Sequence, residues 1–376
     1  MIQRIRQMLI KEFIQGLRDP RMRAVIFVVP VIQLLLFGYA VNTDVRHIAT
    51  AVYDLDHTAA SRELVSRFVE SGYFDLAEQA DSDARVRELL DRGQVRAVLR
   101  VNAGFEEDVR AGRTAPVQLL VDGADSNTAG IVLSYAGKIT AQYAQELLQG
   151  RLTRWLGAVR QPGRVELQTR AWFNENLESR HYYVPGVMAT MVTLMSLILT
   201  AMAIVREKEI GTMEQILVTP IRPAEFILGK TVPFAVISFI DVVLVSVVGV
   251  GWFGVPIRGN PFCLLLGVGL FLLSTLGIGL LISTISQTQQ QAMMTSFFFF
   301  MPAMLLSGFM FPIANMPEPI QWLTLLNPLR YFLIIIRGVF LKGVGWDVLW
   351  PQMAVLAALG TITLWVTTRR FHKTLA

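Results

Sequence analysis

The chain has 376 residues, of which 53% are hydrophobic and 17% charged, and its mean hydropathy of +0.47 is too high for an ordinary soluble protein. Its formal charge of +5 does not indicate nucleic-acid binding, because the basic residues cluster at the ends of apolar runs. The single cysteine, Cys263, excludes an internal disulfide and a cysteine-based metal cluster, and we expect an α-helical polytopic membrane protein.

The first 23 residues have the pattern of an amphipathic helix. One helical face carries the apolar residues Ile2, Ile5, Leu9 and Phe13. This pattern predicts an interfacial helix over residues 1–23 that lies on the inner leaflet. The uncharged run that follows, residues 24–43, is long enough to be the first transmembrane helix.

The next region, residues 44–181, is predicted to be a soluble extracytoplasmic domain. Between Asp44 and Arg180 the chain holds 20 of its 29 acidic residues. Runs rich in β-branched residues predict strands over residues 48–53, 95–101 and 117–121. Helical patterns and cap residues predict helices over residues 58–70, 81–90 and 127–155. The alternation indicates a small inserted α/β domain.

Within this domain, the run Asp54-Leu55-Asp56-His57 has two interpretations. Two carboxylates and an imidazole within four residues resemble a metal or acid–base site. A strand end followed by an Asx turn and a helix cap at Thr58 explains the same residues by local hydrogen bonds, and we favour it.

Five more spans are predicted after the inserted domain. They cover residues 182–205, residues 231–252, two helices within the uncharged stretch 259–317, and residues 348–368. Six spans place both termini on one side, and the distribution of Lys and Arg makes that side cytoplasmic. Arg330, Arg337 and Lys342 then lie outside, and their apolar neighbours predict a re-entrant outer segment over residues 312–346. An extra crossing there would place the C-terminal arginines outside and fits less well.

Recognisable enzyme motifs are absent from the sequence. Gly229-Lys230-Thr231 resembles the end of a phosphate-binding loop, but Ala224 stands where that loop needs its first glycine. We interpret Lys230 as a basic anchor at the start of a span. The four histidines are scattered, so the sequence predicts neither catalysis nor a metal site.

Asp241 is the one carboxylate within a predicted span, which makes it a candidate intramembrane polar site. A proton or cation relay is one interpretation and leads to an alternative function, a secondary transporter driven by an ion gradient. Structural pairing with a Ser, a Thr or the backbone of a neighbouring helix is the other. A membrane-anchored sensor with a ligand-binding outer domain is a third functional hypothesis.

A charged segment, residues 206–223, joins the second and third predicted spans. Taken as a helix it is amphipathic, with Ile210, Met213 and Leu217 on one side, and Pro220 ends it. Such a segment either rests on the bilayer or docks into a groove on a cytoplasmic partner, and its short, Glu-rich form favours docking.

The sequence resembles a known family, the permease subunits of type-2 ABC transporters, in the multidrug-efflux-like branch with a large domain after the first span. The resemblance covers nearly the whole chain and depends on motifs in a fixed order. These are Glu207 to Glu214 with Thr219-Pro220-Ile221, Leu281 to Ser286, Met304 to Phe309, and Asn327 to Phe332.

The resemblance implies roles for particular residues. Contact with a separate ATPase subunit is implied for Glu207, Lys208, Glu209, Gly211, Thr212, Glu214 and Gln215. The re-entrant outer segment is implied to include Asn327, Pro328, Arg330 and Tyr331. A substrate pathway formed largely by spans two and five would include Met188, Met195, Phe297, Met301 and Met304. Lipid-facing packing is the alternative for the Phe and Met side chains of span five.

The implied function is that of the permease subunit of an exporter that moves amphipathic, drug-like or lipid-like substrates out across the bacterial inner membrane. ATP and magnesium bind to the partner ATPase, so this chain is not an enzyme and needs no cofactor. The other implied partners are a second permease, identical or related, membrane lipid and a periplasmic adaptor. The large outer domain departs from the shorter polysaccharide-exporting members, so a sugar polymer is not expected.

Overall fold

The computed structural model describes residues 2–18, 20–40, 47–156, 172–174, 178–211 and 223–374. The chain divides into two compact units. Residues 1–42 together with 170–376 form one, which we call the membrane unit, and residues 43–169 form the other, which we call the sheet unit. Each unit has its own hydrophobic core.

The N-terminal part of the membrane unit is helical in the ranges described. It consists of α1 (Ile2–Arg18), α2 (Pro20–Arg23), a π-helical turn (Ala24–Val28) and α3 (Val29–Ala40). The predicted helix over residues 1–23 is helical over Ile2–Arg18 and Pro20–Arg23, and its place on the inner leaflet stays a prediction. Phe13, on its predicted apolar face, packs against Ile26 and Ile237, whereas the side chains of Ile2 and Ile5 lie outside the described residues.

The sheet unit alternates strands and helices, as predicted. Its elements are β1 (Ile48–Asp54), α4 (Ala59–Glu70), β2 (Phe74–Gln79), α5 (Asp83–Asp91), β3 (Ala97–Val101), α6 (Phe105–Ala111), β4 (Val117–Val121) and α7 (Ser126–Leu156). The strand order is β2-β1-β3-β4, with β1 parallel to β2 and β3 and with β4 antiparallel to β3. Leu64 of α4 and Val132 of α7 pack on one face of the sheet, and Leu89 of α5 packs on the other.

Two elements of the sheet unit were not predicted from the sequence, namely β2 and α6. The strand β2 has the sequence Phe-Asp-Leu-Ala-Glu-Gln, which lacks β-branched residues, and most of it is exposed because it lies at the sheet edge. The helix α6 has seven residues, too few for a clear helical period.

Asp56 fastens the end of β1 to the start of α6. Its carboxylate accepts hydrogen bonds from the backbone N–H groups of Gly104 (2.8 Å), Phe105 (3.1 Å) and Glu106 (3.0 Å), and from the Thr58 hydroxyl (2.6 Å). Burial raises the pKa of this carboxyl, but the hydrogen bonds together outweigh burial and hold the pKa below its ordinary value.

The neighbouring residues confirm the turn interpretation of this run. Asp54 accepts hydrogen bonds from the backbone N–H groups of Asp56 (2.9 Å) and His57 (3.1 Å), and from the Ser61 hydroxyl (2.6 Å). Thr58 caps α4 by accepting from the Ser61 N–H at 3.3 Å. The carboxylates therefore serve local structure, and the metal or acid–base interpretation is wrong.

The rest of the membrane unit consists of helices that follow the predicted apolar runs. They are α8 (Ser179–Ile210), α9 (Pro223–Gly251), α10 (Pro261–Ile285), α11 (Gln289–Leu305), α12 (Glu318–Thr324), α13 (Pro328–Arg337) with a π-helical turn (Gly338–Lys342), and α14 (Trp346–Thr374). Within the described ranges, four of these are long and apolar enough to cross a membrane: α8, α9, α10 and α14. The pair Glu318–Thr324 and Pro328–Lys342 is bent by 77° and adds at most a fifth.

Helix α8 is the centre of the membrane unit. In its most apolar window 78% of the residues are buried, against 22% in that of α14, so α8 lies inside the helix cluster and α14 at its edge. Close packing with α10 depends on Gly279, where an added Cβ would lie 2.8 Å from the Cβ of Thr200. Any displacement of α8 must therefore be shared with its neighbours.

We predict that Asp56→Ala loosens the sheet unit by about 1–2 kcal/mol, because the first turn of α6 loses its acceptor. Hydrogen–deuterium exchange at residues 104–106 should become faster, whereas Asp91→Ala, at an exposed carboxylate, should leave it unchanged. Because the folded pKa of Asp56 is lowered, its contribution is present above the ordinary pKa of an Asp and is lost as pH falls through the folded value. Equal exchange rates at residues 104–106 in the two variants would contradict the role of Asp56 as the acceptor for the first turn of α6.

Candidate functional site

A buried group of charges joins three elements of the membrane unit. The Nζ atom of Lys230 lies 2.6 Å from Oε1 of Glu12 and 2.6 Å from Oε1 of Glu207, and Nζ of Lys11 lies 3.1 Å from the same Glu207 oxygen. We call these four residues the charged network. Lys230 is 2% exposed, Glu207 4% and Glu12 9%, so three of the four charges are removed from water.

The network forms because α1 lies directly on α9. Met8 packs against a cluster that contains Phe226 and Ile227, and Gly229 leaves room for it, since a Cβ there would lie 3.0 Å from the Met8 sulfur. One turn after Met8, Glu12 faces the same helix and reaches Lys230. Apolar contact brings the helices together, and the ion pair fixes their register.

The formal charges of the network cancel, two positive against two negative. A buried ion pair adds little net stability, but removal of one partner leaves an uncompensated buried charge. Lys230 was interpreted as a basic anchor at the start of a span; its ammonium is held inside the protein between two carboxylates, and its place on the cytoplasmic side stays a prediction.

The residues that follow Glu207 hold other elements. The Lys208 ammonium donates to the backbone carbonyl oxygens of Thr284 (3.0 Å) and Ser286 (3.3 Å), at the end of α10, where a cation complements the helix dipole. The Glu209 carboxylate accepts from the backbone N–H (3.0 Å) and the side-chain amide (2.8 Å) of Gln289, at the start of α11. The last turn of α8 is thus tied to α1, α9, α10 and α11.

The predicted charged segment begins inside α8. Residues 206–210 are the last turn of that helix, which ends at Gly211 in the left-handed conformation (φ +79°). The three predicted contact residues Thr212, Glu214 and Gln215 lie outside the described residues. The side chains of Glu207, Lys208 and Glu209 contact other helices of this chain. The described part of the charged segment therefore fixes the end of α8 against the neighbouring helices.

The four residues predicted for the outer segment form its corner. Asn327 caps α13 by accepting from the Leu329 N–H at 3.1 Å, and its amide donates to the Ala303 carbonyl of α11 at 2.6 Å. Pro328 is the first residue of α13. Arg330 donates to the Thr324 hydroxyl, and the Tyr331 hydroxyl donates to the Leu325 carbonyl at 2.9 Å. These hydrogen bonds explain why the chain bends here.

The five residues predicted for a substrate pathway are not brought together within this chain. Met188 is 1% exposed and lies in the main core, and Met304 packs against a second cluster. Phe297 and Met301 are exposed on α11, and Met195 is half-buried on α8. The exposed pair lies on an apolar surface that also includes Phe298, which is 83% exposed.

Asp241 lies in α9 and is 3% exposed. Neither carboxylate oxygen has a hydrogen-bond partner among the described residues, and the same is true of the Ser238 hydroxyl one turn earlier. The structural pairing that the sequence suggested is therefore not found in the part of the chain that the structure describes. A buried carboxyl group without a hydrogen-bond donor lowers the stability of the fold, so Asp241 remains a candidate functional residue.

Sequence reasoning missed Glu12, the residue that completes the network. The signal was present, because Glu12 is the one acidic residue in α1, a helix with several basic residues. Its partner lies 218 positions further along the chain, which no local pattern reports.

Apolar helices of membrane-spanning length, clustered around α8 and tied together by buried charges at its end, define a polytopic membrane protein. The chain belongs to the ABC-2 transporter family, since the model of that family, described as ABC-2 family transporter protein, matches residues 20–369. As the sequence predicted, it is therefore a permease subunit and not an enzyme. The family implies an ATPase partner and often a paired permease.

Individual relatives agree with this assignment. The chain is 34% identical over 365 residues to "Probable multidrug ABC transporter permease YbhR" of Escherichia coli, covering 96% of this chain and 97% of the relative. It is 34% identical over 342 residues to YbhS, named in the same way, with 90% and 89% covered. It is 30% identical over 332 residues to "Inner membrane transport permease YhhJ", with 86% and 85% covered.

We predict that Lys230→Met destabilises the membrane unit by about 3–5 kcal/mol, because Glu12 loses its counter-charge and Glu207 loses its buried one. The triple variant Glu12→Gln/Lys230→Met/Glu207→Gln removes all three buried charges and should recover most of that loss. Thermal unfolding in detergent measures both, with Lys342→Ala as a control at an exposed lysine. A triple variant less stable than the single one would show that the network does not act as a unit.

Proposed function

We propose that this permease moves amphipathic, drug-like or lipid-like molecules outward across the bacterial inner membrane, powered by a separate ATPase that binds ATP and magnesium. The names of two relatives, multidrug ABC transporter permeases, support the substrate class. The apolar surface of α11 supports it too, since flexible Met and flat Phe side chains adapt to varied hydrophobic ligands.

We further propose how ATP hydrolysis in the partner reaches the membrane helices. The ATPase docks on the segment after Gly211, through Glu214 and Gln215, and closure of the ATPase displaces that segment. The observation that carries the proposal is the charged network with its neighbours, which ties the last turn of α8 to α1, α9, α10 and α11. Packed helices move as rigid bodies, so a push on α8 tilts them together.

The proposed topology has six spans with both termini cytoplasmic, a re-entrant segment over residues 312–346, and residues 44–181 on the outer face. The distribution of Lys and Arg supports it. The 77° bend between α12 and α13 supports the re-entrant segment. The outer domain is then available to a periplasmic adaptor, and the exposed face of α11 to membrane lipid or a second permease.

The test separates docking from transmission with two variants. In Glu214→Ala/Gln215→Ala we expect loss of the co-purifying ATPase in a mild-detergent pull-down, because the docking contacts are removed. In Glu12→Gln/Lys230→Met/Glu207→Gln we expect the ATPase to stay bound while drug efflux falls at least tenfold, because the segment is no longer tied to α1 and α9. Vanadate-sensitive ATPase activity and efflux of a fluorescent amphiphile are the measurements.

The control for both variants is Lys342→Ala, which should match the wild type. A docking variant that keeps both the ATPase and normal efflux would refute the role of the segment. A triple variant that folds and exports at the wild-type rate would refute the role of the network and leave the docking proposal standing.

A second candidate function follows from Asp241, whose buried carboxyl has no partner in the described part of the chain. In an ion-driven carrier it would bind the coupling proton or cation. We expect Asp241→Asn to retain ATP-driven efflux in inverted vesicles, with Asp347→Asn as a control outside the buried part of α14. Efflux that runs on an imposed proton gradient without ATP, and that stops in Asp241→Asn, would replace the ATP-driven mechanism by the carrier.

A further inference from the structure

The sheet unit contains a cleft between α6, α4 and the second half of α7. It has two adjoining lobes of about 370 and 620 Å³, a size typical of sites for small organic ligands. Both lobes are lined by Val109, Tyr143, Leu147 and Arg151, so they are continuous. All lining residues belong to the sheet unit.

The walls of the cleft are apolar. Leu64, Phe105 and Tyr143 are nearly fully buried and form its floor. Leu148 is 58% exposed and Leu152 is 40% exposed, one turn apart on α7. Single exposed leucines are ordinary on a surface, but here both line the same concave site, so a ligand with an alkyl chain would cover them.

The charges at the rim are unbalanced. Two arginines are neutralised, because Arg110 lies 2.6 Å from Glu106, and Arg113 lies 2.7 Å from a carboxylate oxygen of Asp108. Glu63, the other acidic residue of the lining, lies 3.6 Å from Arg67.

Arg151 and Arg154 are different from these pairs. Neither has an ion-pair or hydrogen-bond partner among the described residues. The cleft therefore combines an apolar interior with two positive charges, one turn apart on α7, for which the described part of the chain supplies no counter-charge.

The guanidinium group of Arg151 lines the cleft next to the end of α6. That helix is capped by Gly112 in the left-handed conformation (φ +77°), and a Cβ on Gly112 would lie 2.9 Å from Nη1 of Arg151. The guanidinium group thus packs over a residue that has no side chain. A guanidinium group binds a carboxylate or phosphate group through paired hydrogen bonds.

We propose that this cleft binds an amphipathic anion, with its alkyl chain along Leu148 and Leu152 and its anionic head at Arg151 and Arg154. The ligand class is a single-chain carboxylate, phosphate or sulfate, either free or as part of an anionic lipid. The cleft belongs to the sheet unit and the charged network to the membrane unit, so the two proposals share no residue and can fail separately.

The experiment uses the full chain in nanodiscs of phosphatidylcholine. Because Cys263 is the one native cysteine and is buried, Thr114→Cys, at an exposed lining residue with no part in the proposed binding, can be labelled selectively with an environment-sensitive dye. Three decyl probes share a chain and differ in charge: decyl phosphate, decanol and decyltrimethylammonium. We expect saturable binding of decyl phosphate, with affinity at least tenfold weaker for decanol and no saturable response to the cation.

Variants of the labelled protein test the assigned residues. Arg151→Glu should weaken decyl phosphate binding at least tenfold, whereas Arg87→Glu, at an exposed arginine on α5, should leave it unchanged. A dye response to all three probes alike, or equal affinity in wild type and Arg151→Glu, would overturn the proposal, because either result means non-specific partition. Nanodiscs that contain phosphatidylglycerol identify the source: weaker apparent binding of decyl phosphate there means that bilayer lipid competes for the site.

Discussion

The ammonium group of Lys230 is removed from water in the interior of a membrane protein, and this constrains the helices around it. A charge in that position is tolerable only while both carboxylates, Glu12 and Glu207, remain beside it. Each carboxylate belongs to a different helix, so α1 and α8 cannot separate from α9 without exposing or isolating a buried charge. Apolar contacts alone, such as Met8 against Phe226, would permit sliding. The ion pairs of Lys230 with Glu12 and Glu207 form in only one register of α1 and α8 along α9.

Consecutive residues at the end of α8 extend this constraint to the other side of the helix. Glu207 turns toward α1 and α9, Lys208 toward the last carbonyls of α10, and Glu209 toward the first N–H of α11. Successive helical positions are about 100° apart, which is why three neighbours in sequence reach three directions. A force applied just after Gly211 therefore cannot bend one helix alone. Such a force either moves α8 together with α1, α9, α10 and α11, or it does not reach them.

The sequence predicted the elements of this architecture better than their contacts. Long apolar runs and three of the four strands of the sheet unit follow from local composition and periodicity, which a chain shows in any window of ten to twenty residues. The corner residues from Asn327 to Tyr331 were implied by the family resemblance instead. Lys230 looked like an ordinary basic residue at a helix start, because nothing within its own window distinguishes a buried ammonium from a solvated one. The strand β2 was missed for the opposite reason, since an exposed edge strand needs no apolar pattern.

The polar side chains within the helices of the membrane unit differ in whether their hydrogen bonds are satisfied by their own helix. Hydroxyl groups on α8, such as those of Thr193 and Thr200, donate to carbonyl oxygens one turn earlier in their own helix and need nothing from neighbours. An ionised Asp241 cannot do this, because a carboxylate accepts but does not donate. It lies on the same helix as Lys230, about three turns further on, or roughly 16 Å along the axis. Pro233 stands between the two residues in α9 and interrupts the helix hydrogen bonds there, so α9 can bend between Lys230 and Asp241, and Asp241 stays an acceptor for which the described residues supply no donor.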